Sequence, residues 1–259
     1  MLEYSLREFI SKQRGDIAVV VKNLKTQEEI KINENVVFPA ASTIKPAIMS
    51  ALLDKVNRGV LRLGDTVELR EDMKTPGDGV LKELSCGRSF SLEELMTWMI
   101  IVSDNTAANI LIDLLGMDEI NAFIGVLGLK CTKLQRRMMD FTAASEGREN
   151  LITAGDLAHM LELIYTGQNV NRYYSDIMLR VLKRQQVKGR LDLYLPEGLI
   201  IAHKAGDLEL VEHDGGIVFT ENGAYVICVL TKGTEANEAG REIIGTISRM
   251  VYEEYFRDC

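Results

Sequence analysis

Apolar residues recur at helical spacing near both ends of the chain and through its middle, with strand-like runs near either end. Leu2, Leu6, Phe9 and Ile10 fall on one face of a helix over residues 2–13. Residues 15–22 and 28–32 read as two strands joined by a turn at 23–27. A long apolar helix is expected from Ser42 to about Val56, then a connector over 57–63 and a short strand over 65–69. Residues 92–115 are helical in two pieces, broken around Ser103-Asp104-Asn105, with Ser91 as the N-cap of the first. A further helix over 117–127 stops at Gly128. Residues 131–150 are polar, charged and irregular, too long for a plain connection, which marks a functional loop. Helices over 153–165, opened by Thr153 with Asp156 three residues on, and over 174–183 come next. Strands at 198–206, 214–220 and 223–232 and a helix at 239–255 complete the pattern.

This order predicts an α/β sandwich plus an all-α subdomain: one five-stranded antiparallel sheet built from both chain ends and flanked by helices. A linear division into two domains leaves a two-stranded and a three-stranded sheet unsupported, which is marginal. Residues 1–259 are therefore expected to form a single unit. In it, 1–40 and 198–259 make a discontinuous α/β subdomain and 41–197 a helical one.

Composition narrows the function without naming it. The 46% hydrophobic and 26% charged content is that of an ordinary soluble domain. A net charge of −8 argues against nucleic acid or an anionic membrane as the main partner. The longest apolar runs, 17–21 and 96–102, are too short to span a bilayer, and residues 1–14 contain no secretory signal, so a cytoplasmic location is expected unless a leader was trimmed. Cys86, Cys131, Cys228 and Cys259 show no metal or redox spacing and are expected to be free thiols, most of them packed inside. With three histidines, His159, His203 and His213, no metal site or cofactor is expected. Oligomeric state is not legible.

The chemistry begins at Ser42-Thr43-Ile44-Lys45. Residues three apart share a helix face, so the amine of Lys45 can reach the hydroxyl of Ser42 and act as its base. Backbone N–H groups at the helix start can hold an oxyanion beside that serine. S-x-x-K alone is weak, since it turns up about once by chance in a chain this long. Two further motifs add weight. Ser103-Asp104-Asn105 interrupts an apolar helical stretch, where such residues prefer caps and turns. Lys204-Ala205-Gly206 lies on a strand, where alternation puts Lys204 and Ala202 on one face and Gly206 admits a ligand close to the backbone.

S-x-x-K, S-D-N and K-[ST]-G in this order resemble the motif set of class A β-lactamases and penicillin-binding proteins. The early strand, the segment from Ser103 to Ile112 and the sheet–helix–sheet order extend the resemblance over nearly the whole chain. The resemblance implies an α/β sheet domain and an all-α domain with the site between them. It implies Ser42 as acylated nucleophile, Lys45 as base or proton relay, and Ser103 as proton donor to the leaving nitrogen. Asn105 would hold the substrate amide, Lys204 would supply positive potential, and the N–H groups of Ser42 and Asp207 would form the oxyanion hole. Each lysine makes the other's charge less favourable, which eases a free-amine base. Substrates would be small-molecule amides, esters or β-lactams.

Three departures matter. Family members that destroy penicillins carry a water-activating glutamate in an R-x-E-x-x-L-N loop; matching Thr132, Leu134 and Arg136 puts Met138 there, and a thioether cannot activate water. Asp140, Glu146 and Glu149 are the carboxylates that could substitute. Ala205 lacks the hydroxyl that binds a penicillin carboxylate. Asp207 sets a negative charge beside the oxyanion hole, and residues 212–216 supply no arginine anchor. His203 is expected to face away from Lys204 as a packed strand residue, and His213 and Asp214 to serve a turn at a strand entry. Trp98, Met96 and Met99 fit a buried helix face. The expected activity is a serine acyl-enzyme hydrolase with slow β-lactamase turnover. The alternatives are a genuine β-lactamase using another loop carboxylate, a penicillin sensor acylated at Ser42 without turnover, and an inert scaffold.

Overall fold

The computed structural model describes residues 1–256. Helix α1 (Leu2–Ser11) leads into strands β1 (Asp16–Asn23), β2 (Glu29–Ile32) and β3 (Phe38–Pro39). A single 3₁₀ turn, Ala41–Ile44, precedes α2 (Lys45–Asn57). Then come β4 (Thr66–Glu68), β5 (Ser89–Ser91), α3 (Leu92–Ile101), α4 (Asn105–Leu115) and α5 (Met117–Val126). The remaining elements are α6 (Phe141–Ser145), β6 (Leu151–Ile152), α7 (Ala154–Thr166), α8 (Arg172–Leu182), β7 (Ile200–Leu208), β8 (Val211–Thr220), β9 (Gly223–Lys232) and α9 (Asn237–Phe256).

The sheet is five-stranded and antiparallel, in the order β2-β1-β9-β8-β7, so both ends of the chain share it. Its strands alternate between two cores. Ile17, Val19, Val21, Tyr225, Ile227 and Val229 turn to one face, packed with Leu6 of α1 and Ile243, Ile244 and Ile247 of α9. Ala18, Val20, Ala202, Ile217, Val226 and Cys228 turn to the other, which α7 covers and which runs on into the helices between Ile44 and Leu182. Burying both faces explains why these strands read as continuous apolar runs rather than a clean alternation.

Local signals place the helices. Ser91 caps α3 in a full capping box with Glu94, and Gly128 ends the turn after α5 with φ of 75°. Thr153 caps α7 through the Asp156 N–H, but the Asp156 carboxylate turns instead to Cys131 N and Thr132 Oγ and anchors the start of the 131–150 loop. That loop contains one short helix, α6.

Some expectations are corrected. The serine-bearing helix does not start at Ser42: residues 41–44 form a 3₁₀ turn and α2 begins at Lys45. His213 and Asp214 lie inside β8, which starts at Val211, and are not at its entry. Of the thiols described, Cys228 alone is buried; Cys131 is half-buried and Cys86 is exposed, while Cys259 lies outside the described residues. No helix among the described residues is long and apolar enough to cross a membrane.

Candidate active site

The turn that carries Ser42 is held from three sides. Ala40 N donates to Asn150 O at 2.7 Å, and Thr43 Oγ donates to Ala40 O at 2.5 Å. His213 Nε2 donates to Pro39 O at 2.8 Å; burial pushes that imidazole down to about 4, so it is a neutral strut. The backbone is strained at Ala41, with φ of 47°, and at Ser103, with φ of 56°, and neither residue is a glycine. Strand β7 closes the remaining side. A β-carbon on Gly206 would stand 2.6 Å from Ser42 N and 2.9 Å from Thr43 N, so only glycine lets the strand approach Ser42 this closely. The neighbouring Asp207 backbone therefore lies alongside the N-terminal face of the turn.

Beneath Ser42 two fully buried lysines meet on one hydroxyl. Lys45 Nζ lies 2.5 Å from Ser103 O, 3.1 Å from Ser103 Oγ and 2.9 Å from Asn105 Oδ1. Lys204 Nζ donates to Ser103 Oγ at 3.1 Å and to Ala205 O at 2.6 Å. None of the Lys45 bonds goes to Ser42, although i and i+3 eclipse in a 3₁₀ turn; Ser103 takes that amine instead. Burial, and then the charge of Lys204, hold the Lys45 ammonium well below its usual range. Burial likewise pushes Lys204 down to about 8, against the pull of Asp214. A neutral Lys45 amine has two N–H donors and one lone pair. The two carbonyl oxygens around it accept the donors, and the Ser103 hydroxyl can fill the lone pair.

The Ser103-Asp104-Asn105 turn also holds the loop over residues 75–81. Asp104 caps α4 and accepts from Val80 N at 2.6 Å and Leu81 N at 2.8 Å. Asn105 N donates to Asp78 O and its amide to Pro76 O. A β-carbon at Gly79, which has φ of 110°, would fall 2.3 Å from Asp104 Cγ. This loop brings Gly77 and Asp78 to the cleft, and neither was legible in the sequence pattern. Their signal was a Pro-Gly-Asp-Gly turn sequence, which marks a turn but carries no chemistry of its own.

The cleft above Ser42 holds about 590 Å³ and is lined by Asn105, Asp78, Met138, Phe141, Asp207 and Leu208 among others. Met138 sits at its wall with its backbone gripped by Asn109, which accepts from Met138 N at 2.8 Å and donates to Met138 O at 3.1 Å. The three loop carboxylates all have partners, although Glu149 lines the cleft beside Arg136. Asp140 caps α6, Glu146 pairs with Arg148, and Glu149 makes a two-pronged pair with Arg136 at 2.8 and 3.1 Å.

Ala205 is buried and shares its face of β7 with His203 and Asp207, opposite Lys204. The negative charge expected at Asp207 is partnered: Arg190, from the segment before β7, donates to it at 2.8 Å and to Glu212 at 2.6 Å. His203 does face away from Lys204 and meets Asp214 at 3.0 Å in the core. Among the described residues no group of three His, Cys, Asp or Glu side chains could hold a metal ion.

Comparison with known proteins gives this geometry a family. Residues 1–255 match the family described as the beta-lactamase enzyme family. The crystal structure of a β-lactamase from Sphaerobacter thermophilus superposes with a TM-score of 0.91 at 33% identity, covering 97% of this chain and 96% of that one. PBP-A superposes at 0.90 with 30% identity over 98% of this chain and 95% of that one. A leucine-to-glutamate mutant of PBP-A was solved as an acyl-enzyme complex with penicillin G. The β-lactamase VEB-1 of Pseudomonas aeruginosa is 21% identical over 273 residues, covering 98% of this chain and 90% of that protein. The chain belongs to the beta-lactamase enzyme family, as a class A β-lactamase-like serine hydrolase.

Proposed function

We propose that Ser42 is acylated by a small amide, ester or β-lactam, and that the acyl-enzyme is released slowly because Met138 occupies the position of the water-activating glutamate. In acylation Ser42 Oγ bonds to the substrate carbonyl carbon, and its proton passes to the lone pair of Lys45. The carbonyl oxygen gains negative charge against the N–H groups of Ser42 and Asp207. Ser103 gives its proton to the leaving nitrogen as the C–N bond breaks, and recovers one from Lys45. Lys204, within 3.1 Å of Ser103 Oγ, supplies the positive field that favours this transfer.

The observation that carries the slow second step is the engagement of every loop carboxylate. The Arg136 side chain, 4% exposed, is charge-balanced by Glu149, so freeing Glu149 to act as a base strands a buried cation. Ala205 offers no hydroxyl, and Arg190 is committed to Asp207 and Glu212, so a penicillin carboxylate has a weak anchor. The relative solved with penicillin G as an acyl-enzyme supports β-lactams as probes of Ser42 here.

Intact-mass spectrometry after mixing with benzylpenicillin tests this reading, with Ser42→Ala as control. A Ser42-dependent adduct that persists for minutes to hours is the expected result. Fast Ser42-dependent consumption of the drug with no adduct overturns slow deacylation. Neither adduct nor consumption removes β-lactams from the substrate class and directs the search to neutral esters and amides.

A further inference from the structure

Asp78 stands in the cleft with no assigned role. Its backbone carbonyl accepts from Asn105 N at 3.0 Å, so it lies beside the residue that holds the acyl amide in the reading above, on which this inference rests. The residue is exposed, and its carboxylate has no hydrogen-bond or ion-pair partner among the described residues. Of the cations flanking this loop, Lys82 donates to the Gly77 carbonyl and lies 4.0 Å from Glu83, and Lys74 pairs with Glu71 at 2.9 Å. Two arginines at the cleft, Arg136 in its lining and Arg190 against Asp207, are already neutralised. Arg136 is held by Glu149, and Arg190 lies behind Asp207 between two carboxylates. Glu209, also exposed and lining the cleft, has the same sign as Asp78.

The loop presenting Asp78 is fixed, because Val80 N and Leu81 N are tied to the buried Asp104. The field of Asp78 also reaches the reacting centre: it opposes the fall in basicity that burial imposes on both Lys45 and Lys204. The same cleft presents apolar side chains, Met138, Met139, Phe141 and Leu208, with Met139 against the neighbouring Gly77. A fixed, unpaired carboxylate at the acyl end of an apolar cleft recognises a cation on an apolar body. We infer that Asp78 is a specificity-determining residue that favours acyl donors carrying a primary ammonium on the acyl side chain next to the scissile amide.

Benzylpenicillin, ampicillin and carbenicillin test this, since their side chains differ at one carbon by hydrogen, ammonium and carboxylate. The readout is the second-order rate of Ser42 acylation at about pH 6, where an α-amino group is protonated. The expected order is ampicillin, benzylpenicillin, carbenicillin, separated by about fivefold per step at low ionic strength. The steps shrink towards equality at about 1 M salt. Asp78→Asn compresses the series to within about twofold, and Asp78→Lys reverses it. Equal rates in the unmodified protein, or an order that survives Asp78→Asn, overturn the inference and leave acylation at Ser42 standing. No labelling of Ser42 by any of the three overturns acylation by β-lactams, and this inference with it.

Discussion

Asn109 holds Met138 by its N–H and its carbonyl at once, so the side chain at 138 is delivered to the cleft wall whatever its chemistry. A glutamate there enters a site only 7% exposed, where burial raises a carboxyl towards the range useful for a general base. Met138→Glu is expected to shorten the lifetime of the benzylpenicillin adduct by about a hundredfold, read by decay of the adduct mass. An unchanged lifetime means that water reaches the ester from another direction. At this scale the motif residues were legible from their types and order: Lys45, Ser103 and Lys204 meet, and Ser42 and Asn105 line one cleft. Their pairing was not. The expected Ser42–Lys45 link gives way to Lys45–Ser103, because a 58-residue separation in sequence carries no periodic signal. Asp78 and Arg190 escaped notice for the same reason, as lone charges in turn-rich stretches.

The 131–150 loop acts as one element, closed by a bridge between Lys133 and Leu151 and by the Arg136–Glu149 pair. Asn150 accepts from Gln135 N and Arg136 N and donates to Arg136 O, which stitches the two limbs together. Because Asn150 O also accepts from Ala40 N, this clasp is continuous with the turn that carries Ser42. Glu149→Gln keeps the shape but leaves Arg136 without its countercharge, at a cost of about 2 kcal/mol. The expected outcome is lower denaturation midpoint in urea and faster hydrogen exchange confined to residues 131–150; unchanged exchange there shows that the pair does not hold the loop. The irregularity of this stretch was visible in its composition, whereas its closure was not, since it depends on pairs 13 and 14 residues apart. Strand β8 shows another limit. His213 and Asp214 gave its first residues a polar look, yet Asp214 is satisfied by His203 across the β7–β8 register and His213 by Pro39.

At the scale of the molecule, the buried cations set stability against function. Lys204 has a folded-state value of about 8 against the ordinary 10.5, a cost of about 3 kcal/mol at neutral pH. Between those values the unfolded chain binds more protons than the folded one, so this group's contribution makes stability rise with pH through the window. The cost is constant below about 8 and absent above 10.5. Lys204→Met removes the penalty but leaves Ser103 Oγ and Ala205 O one donor short, so a net gain of about 1 kcal/mol is expected, with loss of Ser42 acylation. A melting temperature that falls, with acylation kept, contradicts this balance. The sheet itself has a further consequence, in time. Strand β1 has β2 beside it early, but its other edge pairs with β9, from Asp16 against Lys232 to Asn23 against Tyr225. During synthesis a two-stranded ribbon and a nearly complete set of helices therefore wait for the final strands. Lys204 and Gly206 are among the residues still to come, so the nascent protein carries Ser42 without the strand that packs against it. On the reading proposed above, the site is complete only when β7 closes on the turn at Ser42.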